Sequence, residues 1–194
     1  MLINEAGLVR ALKREYRGAG YTVFNTEEQT IVYAGGKWCV RVNRSVFPRR
    51  ALAIIVEHMG IIPQIGEPSY IIKKADPQIV ISDVLQSDLE FFSESAEKTA
   101  SYCPIVMQGF QVFQEPSGWG CWGIPLSALE IIEENPAMHL EARVSRINVL
   151  RWEHEGEAVM FGAVRKAESS WAKNWERAVW QALESVDLHK EEET

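Results

Sequence analysis

The chain has 194 residues, a formal net charge of −7, and a composition that is 46% hydrophobic and 24% charged. Such a composition is typical of a globular protein with one sizeable core or two small ones, and its longest apolar runs fall far short of the roughly 18 residues that a membrane-spanning helix needs. The acidic balance argues against a protein coated in nucleic-acid-binding surface, although it leaves room for a local basic patch.

The N-terminal residues and the cysteines indicate a protein of the cytoplasm. Charges at Glu5, Arg10 and Lys13 interrupt the apolar region that a secretory signal would need. The three cysteines are widely spaced and form no Cys-x-x-Cys pair, so we expect neither a disulfide scaffold nor a zinc ribbon. The sequence contains no complete metal, phosphate-loop or cofactor motif, and we therefore expect no bound metal or cofactor.

In the first half of the chain, the pattern predicts a helix over residues 3–18, begun by an Asn4 cap and ended by Gly18. Three strands are expected at residues 21–25, 30–34 and 37–42. A second helix follows from Pro48 to Gly60, and two short strands flank residues 75–78.

In the second half, residues 87–104 mix helix formers with small polar residues and are expected to form a linker or a helix. Strands are predicted around the turn at residues 115–118, followed by a short helix from residue 126, and a hairpin is centred on Glu155 and Gly156. A long helix with a serine cap is expected over residues 169–186, and residues 189–194 form a charged tail.

Two pairs of segments suggest an internal duplication. "GYTVFN" at 20–25 matches "GFQVFQ" at 109–114, and "ALAIIVEH" at 51–58 matches "ALEIIEEN" at 128–135, in the same order. We therefore predict an α+β fold of two tandem pseudo-repeats, each a β-hairpin, a helix and a β-hairpin, with flanking N- and C-terminal helices. The units are 1–86 and 105–188, joined by 87–104. The alternative is that short apolar patterns coincide by chance.

The helix, three strands, helix and strand at the N-terminus resemble the order of elements in the core of metal-dependent nucleases, which use an Asp and a Glu-x-Lys on adjacent strands. Residues 30–43 contain no acidic residue, so the residues that this chemistry needs are missing. We therefore do not expect metal-dependent cleavage at this position.

Positive charge is concentrated in one part of the chain. No acidic residue occurs from Gln29 through Val56, and subtracting the five positive charges of that stretch from −7 leaves −12 for the remainder. The five residues are Lys37, Arg41, Arg44, Arg49 and Arg50. They are the candidate contacts to an anionic partner; alternatively, they pair with the chain's own acidic residues.

Two further features offer candidate sites. In the last helix, Trp171, Trp175, Val179, Ala182 and Val186 follow core spacing, whereas Trp180 lies off that stripe and is a candidate partner surface. The "GCWG" at 120–123, with Gln114 upstream, resembles the surroundings of the nucleophile in papain-like cysteine peptidases, which implies a nucleophilic Cys121. The glutamine spacing and Gly123 depart from that family, and a buried structural thiol is the interpretation that we favour.

These observations predict a non-catalytic binding protein that contacts an anionic macromolecule, either a nucleic-acid backbone or an acidic protein surface, through the basic residues. One alternative is an acidic inhibitor that occupies the basic, nucleic-acid-binding groove of a partner protein with "EIIEEN" and "DLEFFSESAE". A second alternative is a thiol hydrolase that depends on Cys121.

Overall fold

The computed structural model describes residues 1–61, 64–67, 70–74, 78–79, 92, 96–170 and 172–189. Five α-helices have both ends within these residues. They are α1 (Glu5–Arg17), α2 (Arg49–Met59), α3 (Leu126–Leu129), α4 (Glu134–His139) and α5 (Asn174–Leu183). As the sequence predicts, Asn4 caps the first helix, because its side chain accepts a hydrogen bond from the Gly7 N–H at 2.9 Å. Within these ranges, every helix is too short or too polar to cross a membrane.

The strands of the same residues form one large antiparallel sheet and one small ribbon. In chain order they are β1 (Thr22–Asn25), β2 (Gln29–Ala34), β3 (Trp38–Asn43), β4 (Tyr70–Ile71), β5 (Gln78–Ile79), β6 (Ala96–Met107), β7 (Phe110–Gln114), β8 (Cys121–Pro125), β9 (Ala142–Ser145), β10 (Val149–His154) and β11 (Glu157–Gly162). Nine strands follow the order β1-β2-β3-β11-β10-β9-β6-β7-β8, and β4 pairs with β5. The α+β class is therefore confirmed.

The large sheet consists of three meanders, each made of three consecutive strands. The last meander in the chain, β9-β10-β11, lies between β1-β2-β3 and β6-β7-β8. The junction with the first meander is the ladder between β3 and β11, which runs from Trp38 opposite Phe161 to Val42 opposite Glu157. This ladder joins the N-terminal and C-terminal parts of the chain in one sheet.

Side chains alternate between the two faces of the sheet, and each face buries its own apolar cluster. On one face the strands pack against α1 and α2 around a chain of edge-to-face rings. Their centroids lie 5.3 Å apart between Phe113 and Trp152 and 5.9 Å apart between Trp152 and Phe161. On the opposite face, one cluster includes Cys39 and Met160, and another includes Cys121 and Trp180.

The linker or helix expected at residues 87–104 does not fit this sheet. Residues 96–104, expected as part of a linker or a helix, lie in β6, which pairs with β7 on one side and β9 on the other. Pairing along both edges outweighs the polar composition of this segment, because strand formation depends on its neighbours more than on intrinsic preference. Residues 87–91 and 93–95 lie outside the described part of the chain.

The sheet does not confirm the predicted duplication, which stays a prediction. The strands that the repeat equates have different surroundings: among the described strands, β1 stands at one end of the large sheet, whereas β7 lies between β6 and β8. The equated helices differ as well: "ALAIIVEH" lies wholly in α2, but "ALEIIEEN" leaves α3 after Leu129 and forms a bridge between Ile132 and Ile3.

The last helix buries the opposite stripe from the one that the sequence pattern favours. Trp180, predicted as a partner surface, is 0% exposed, whereas Trp175 is 56% and Val179 is 41% exposed. Trp171 lies outside the described residues. The helix also begins at Asn174, after a Lys173 cap, rather than at a serine. The prediction that Trp180 forms a partner surface is therefore wrong.

The reason for this reversal is a space on the sheet that accepts a large ring. A Cβ added to Gly123 of β8 would lie 2.7 Å from the Trp180 ring, so the glycine lets the ring approach the strand. The ring of Trp180 meets that of Phe110 edge-on at 6.4 Å, and its Nε1–H donates to Gln108 Oε1 at 3.4 Å. The stripe that faces the sheet holds Trp180 and Leu183 beside the charged Glu176 and Glu184, so the spacing of apolar residues alone favours the other stripe.

We expect the two tryptophans to differ in their effect on stability. Trp180→Ala should lower the free energy of unfolding by about 3–5 kcal/mol because it leaves a cavity against β8, whereas Trp175→Ala should change it by less than about 0.5 kcal/mol. Chemical denaturation of both variants measures the difference. Equal losses in the two variants would contradict this packing of α5.

Candidate functional site: an arginine cluster on the sheet

Arg41 lies in a group of charged side chains that spans three strands on one face of the sheet. Its Nη2 is 3.0 Å from Glu153 Oε1, and Arg143 Nη1 is 3.9 Å from Glu153 Oε2. Arg151 also forms an ion pair with Glu153 Oε1. We call Arg41, Arg143, Arg151 and Glu153 the arginine cluster. Its three positive charges and one negative charge give a formal charge of +2.

Strand register brings these residues together from distant parts of the sequence. Arg41 on β3 and Glu153 on β10 both stand opposite Ala158 of β11. Neighbouring strands lie about 4.8 Å apart, so the two side chains start about 10 Å from each other, and the small Ala158 lets them meet above it. On the other side of β10, Arg151 stands opposite Arg143 of β9. Glu153 offsets the repulsion between these like charges.

The cluster keeps donor groups available to a ligand. The Arg143 side chain is 68% exposed, and those of Arg41 and Arg151 are 28% and 21% exposed. Arg151 Nε has no hydrogen-bond partner within the described part of the chain, but it is buried and is not one of the accessible donors. The Glu153 side chain is 36% exposed, so solvent reaches the carboxylate that the three guanidinium groups share.

The five basic residues singled out in the sequence do not form one patch. Lys37 lies at the opposite end of β3 from Arg44, a distance of roughly 20 Å along the strand. Its Nζ is 2.7 Å from Glu15 Oε2, so it has an internal partner. Arg44, Arg49 and Arg50 are exposed beyond the Asn43 end of β3. Only Arg41 of the five belongs to the arginine cluster.

The N-terminus of α2, expected to favour an external anion, holds an anion from the chain itself. The backbone N–H of Arg50 donates to Glu5 Oε1 at 2.8 Å. A carboxylate in this position satisfies a free donor of the first turn and interacts favourably with the helix dipole. Glu5 thus occupies the position in which a phosphate or carboxylate of a partner would have bound.

Arg143 and Arg151 were not among the candidates from the sequence. Alternation with the buried Val144, Leu150 and Trp152 is the signal that places both arginines on the opposite face from the main core. Their meeting with Arg41 depends on the pairing of β3 with β11, and a single sequence does not reveal pairing between strands more than a hundred residues apart.

Cys121 has the surroundings of a structural thiol rather than those of a nucleophile. Burial, reinforced by the nearby Glu184, raises the pKa of its thiol to about 11. Its Sγ–H donates to the Trp119 carbonyl at 3.4 Å, and within the described residues no hydrogen bond joins it to a histidine. Cys103 lies in the same apolar cluster, and burial raises its pKa to about 12.

Gln114, implied by the peptidase resemblance to bind an oxyanion, instead holds the end of the last helix. It is fully buried, and its Nε2 donates to the Val186 carbonyl at 2.8 Å and the Leu183 carbonyl at 3.3 Å. Its Oε1 accepts from the Leu188 N–H at 2.8 Å. The same Nε2 is 3.7 Å from Cys121 Sγ, so the two residues are neighbours, but the amide is already engaged by backbone groups.

The acidic segments of the inhibitor alternative are only partly described. Glu130 of "EIIEEN" is 2.7 Å from Arg10 Nε and so has an internal partner. Most of "DLEFFSESAE" lies outside the described residues. Among the residues that are described, no group of three or more His, Cys, Asp or Glu side chains is arranged to hold a metal ion.

Comparison with known proteins identified no match to this chain. A scan against protein-family models, a search of curated proteins and a search of solved structures each found no match.

We expect Cys121 to be unreactive in the folded protein. With a pKa of about 11, only about one thiol in ten thousand is ionised at neutral pH, and burial hinders access as well. Iodoacetamide labelling, followed by mass spectrometry of peptides, should modify Cys121 far more slowly in the native protein than in urea. Rapid labelling of native Cys121 would revive the thiol hydrolase alternative.

Proposed function

We propose that the protein is a non-catalytic binding protein and that its arginine cluster contacts an anionic macromolecule. The observation that carries this proposal is the convergence of three guanidinium groups on one carboxylate, with the Arg143 side chain 68% exposed. Guanidinium groups bind carboxylates and phosphates through paired hydrogen bonds, so this arrangement suits either anion.

In this proposal Glu153 is the internal substitute for the partner's anion. It holds Arg41 and Arg151 in place in the free protein through partly exposed ion pairs. A carboxylate from a partner can take the place of Glu153 and bind to guanidinium groups whose side chains are already oriented. Orientation in advance reduces the entropy that is lost on binding.

An acidic protein surface fits the site better than a nucleic acid does. The cluster is compact and holds three arginines, whereas a nucleic-acid footprint extends over many phosphates and has several basic residues along it. The net charge of −7 also repels a long polyanion. A short acidic segment is repelled less, because physiological salt screens exposed charges beyond about 8 Å.

Charge reversal at the exposed member of the cluster tests the proposal. A short, fluorescent polyglutamate peptide should bind the wild-type protein at low salt and dissociate as salt is added. Arg143→Glu should weaken this binding at least about tenfold, because it adds a repulsive charge to the contact surface. Glu153→Gln should strengthen the binding, since it removes the internal competitor. Fluorescence anisotropy measures both changes, with poly(U) RNA and duplex DNA titrated in parallel.

Arg10→Glu is the matched control. Arg10 lies on α1, on the other face of the sheet, and its side chain is 57% exposed. This substitution should leave polyglutamate binding within about twofold of wild type, and circular dichroism should show that all three variants are folded. Equal binding by wild type and Arg143→Glu would contradict the proposal. Binding of RNA or DNA without binding of polyglutamate would contradict the choice of an acidic protein.

A further inference from the structure

A cavity of about 390 Å³ opens where the ends of α1 and α2 meet the segment 72–74. Its lining consists of Tyr16, His58, Met59, Ile61, Ile72, Lys73 and Lys74. This volume is within the range of roughly 300–1,000 Å³ that is typical of small-molecule sites. The cavity lies at the ends of two helices, apart from the arginine cluster.

Backbone hydrogen bonds fix the walls of this cavity. The N–H of Lys74 donates to the Tyr16 carbonyl at 2.8 Å, which ties the segment 72–74 to α1. Tyr21 and Ile72 exchange two hydrogen bonds, with N–O distances of 3.2 and 2.7 Å, which tie the segment to the start of β1. The cavity is therefore formed in the free protein, and a ligand would not have to order it.

Two aromatic rings from different helices stack on each other within the lining of the cavity. The rings of Tyr16 and His58 stack with a centroid distance of 3.8 Å and an interplanar angle of 6°. His58 Nδ1 is 2.9 Å from Tyr21 Oη, which fixes the orientation of the imidazole. Burial, with a smaller contribution from the positive Lys13 and partly opposed by Glu57, lowers the pKa of His58, so the ring is neutral at physiological pH.

The hydrogen bond to Tyr21 holds the ring in one orientation in either neutral tautomer. Burial raises the pKa of Tyr21, so its phenol stays protonated and can either donate to His58 Nδ1 or accept from it. The imidazole is thus an oriented, neutral ring.

The rest of the lining combines positive charge with apolar surface. Lys73 and Lys74 have no ion-pair partner among the described residues, although each ammonium group can bind an anion. Ile61 is 61% exposed at the rim, directly after the left-handed Gly60 that ends α2. Exposed apolar surface beside unpaired ammonium groups matches a ligand that has an apolar body and an anionic group.

We propose that this cavity binds a small organic anion, with its carboxylate or phosphate at Lys73 and Lys74 and its apolar, planar body against Ile61 and Tyr16. The observation that carries it is that two lysines, a stacked aromatic pair and exposed apolar surface line one cavity of about 390 Å³. The site is independent of the arginine cluster, so either proposal can fail without the other.

Titration with simple probes tests this site. Benzoate and phenyl phosphate carry both the anion and the planar body, inorganic phosphate carries only the charge, and benzyl alcohol carries the body without a charge. The two aromatic anions should shift the NMR signals of the His58 ring in a saturable manner, whereas the other two probes should bind at least about tenfold more weakly. The His58→Gln variant assigns the ring signals. A stronger response to phenyl phosphate than to benzoate would indicate a phosphate ligand, and the reverse a carboxylate.

Variants of the lining residues then separate the contribution of the positive charges from that of the apolar surface. The double variant Lys73→Ala with Lys74→Ala should weaken the binding of both aromatic anions about tenfold. Ile61→Ser should weaken their binding several-fold without affecting the binding of inorganic phosphate. The control pair Lys98→Ala with Lys173→Ala removes two positive charges, on β6 and at the start of α5, and should leave the titrations unchanged. The proposal is overturned if no probe shifts the His58 signals, if all four probes act alike, or if the control pair weakens binding as much as the pair at Lys73 and Lys74.

Discussion

The pairing of β3 with β11 is the constraint on which the rest of the structure depends. It connects the N-terminal meander to strands that are more than a hundred residues away, and it closes the main core between α1, α2 and the sheet. It also decides which charged side chains are neighbours, because Arg41 reaches Glu153 only across Ala158 of β11. Without this ladder, the basic segment of the N-terminal half and the arginines of β9 and β10 would belong to separate surfaces.

Local pattern predicted most of the elements, because their causes are local. The Asn4 cap, the Pro48 and Gly60 boundaries of α2, and the hairpin at Glu155 and Gly156 follow from backbone preferences that single residues carry. The linker or helix expected at residues 96–104 is a strand instead, because pairing on both sides gives this segment its strand conformation. The buried stripe of α5 was also wrong, because the space above Gly123, which admits Trp180, is a property of the folded sheet.

For the candidate sites too, the sequence indicates single residues, whereas their partners depend on long-range pairing and packing. Charge segregation pointed to Arg41 but grouped it with Lys37, which pairs with Glu15, and with residues beyond the end of β3. The partners of Arg41 in the cluster come from the second half, and the register that brings them together is invisible in one sequence. His58 likewise gave no signal as part of a ligand site, because its stacking on Tyr16 and its bond to Tyr21 depend on the packing of α1, α2 and β1.

NMR of the uniformly labelled protein can show whether the first and the last meander form one sheet through β3 and β11. Cross-strand nuclear Overhauser effects are expected between backbone protons of Val40 and Val159, with slow amide exchange along β3 and β11. Absence of these cross-strand effects, together with the rapid amide exchange of an edge strand along β3, would contradict the sheet order and the arginine cluster that is built on it.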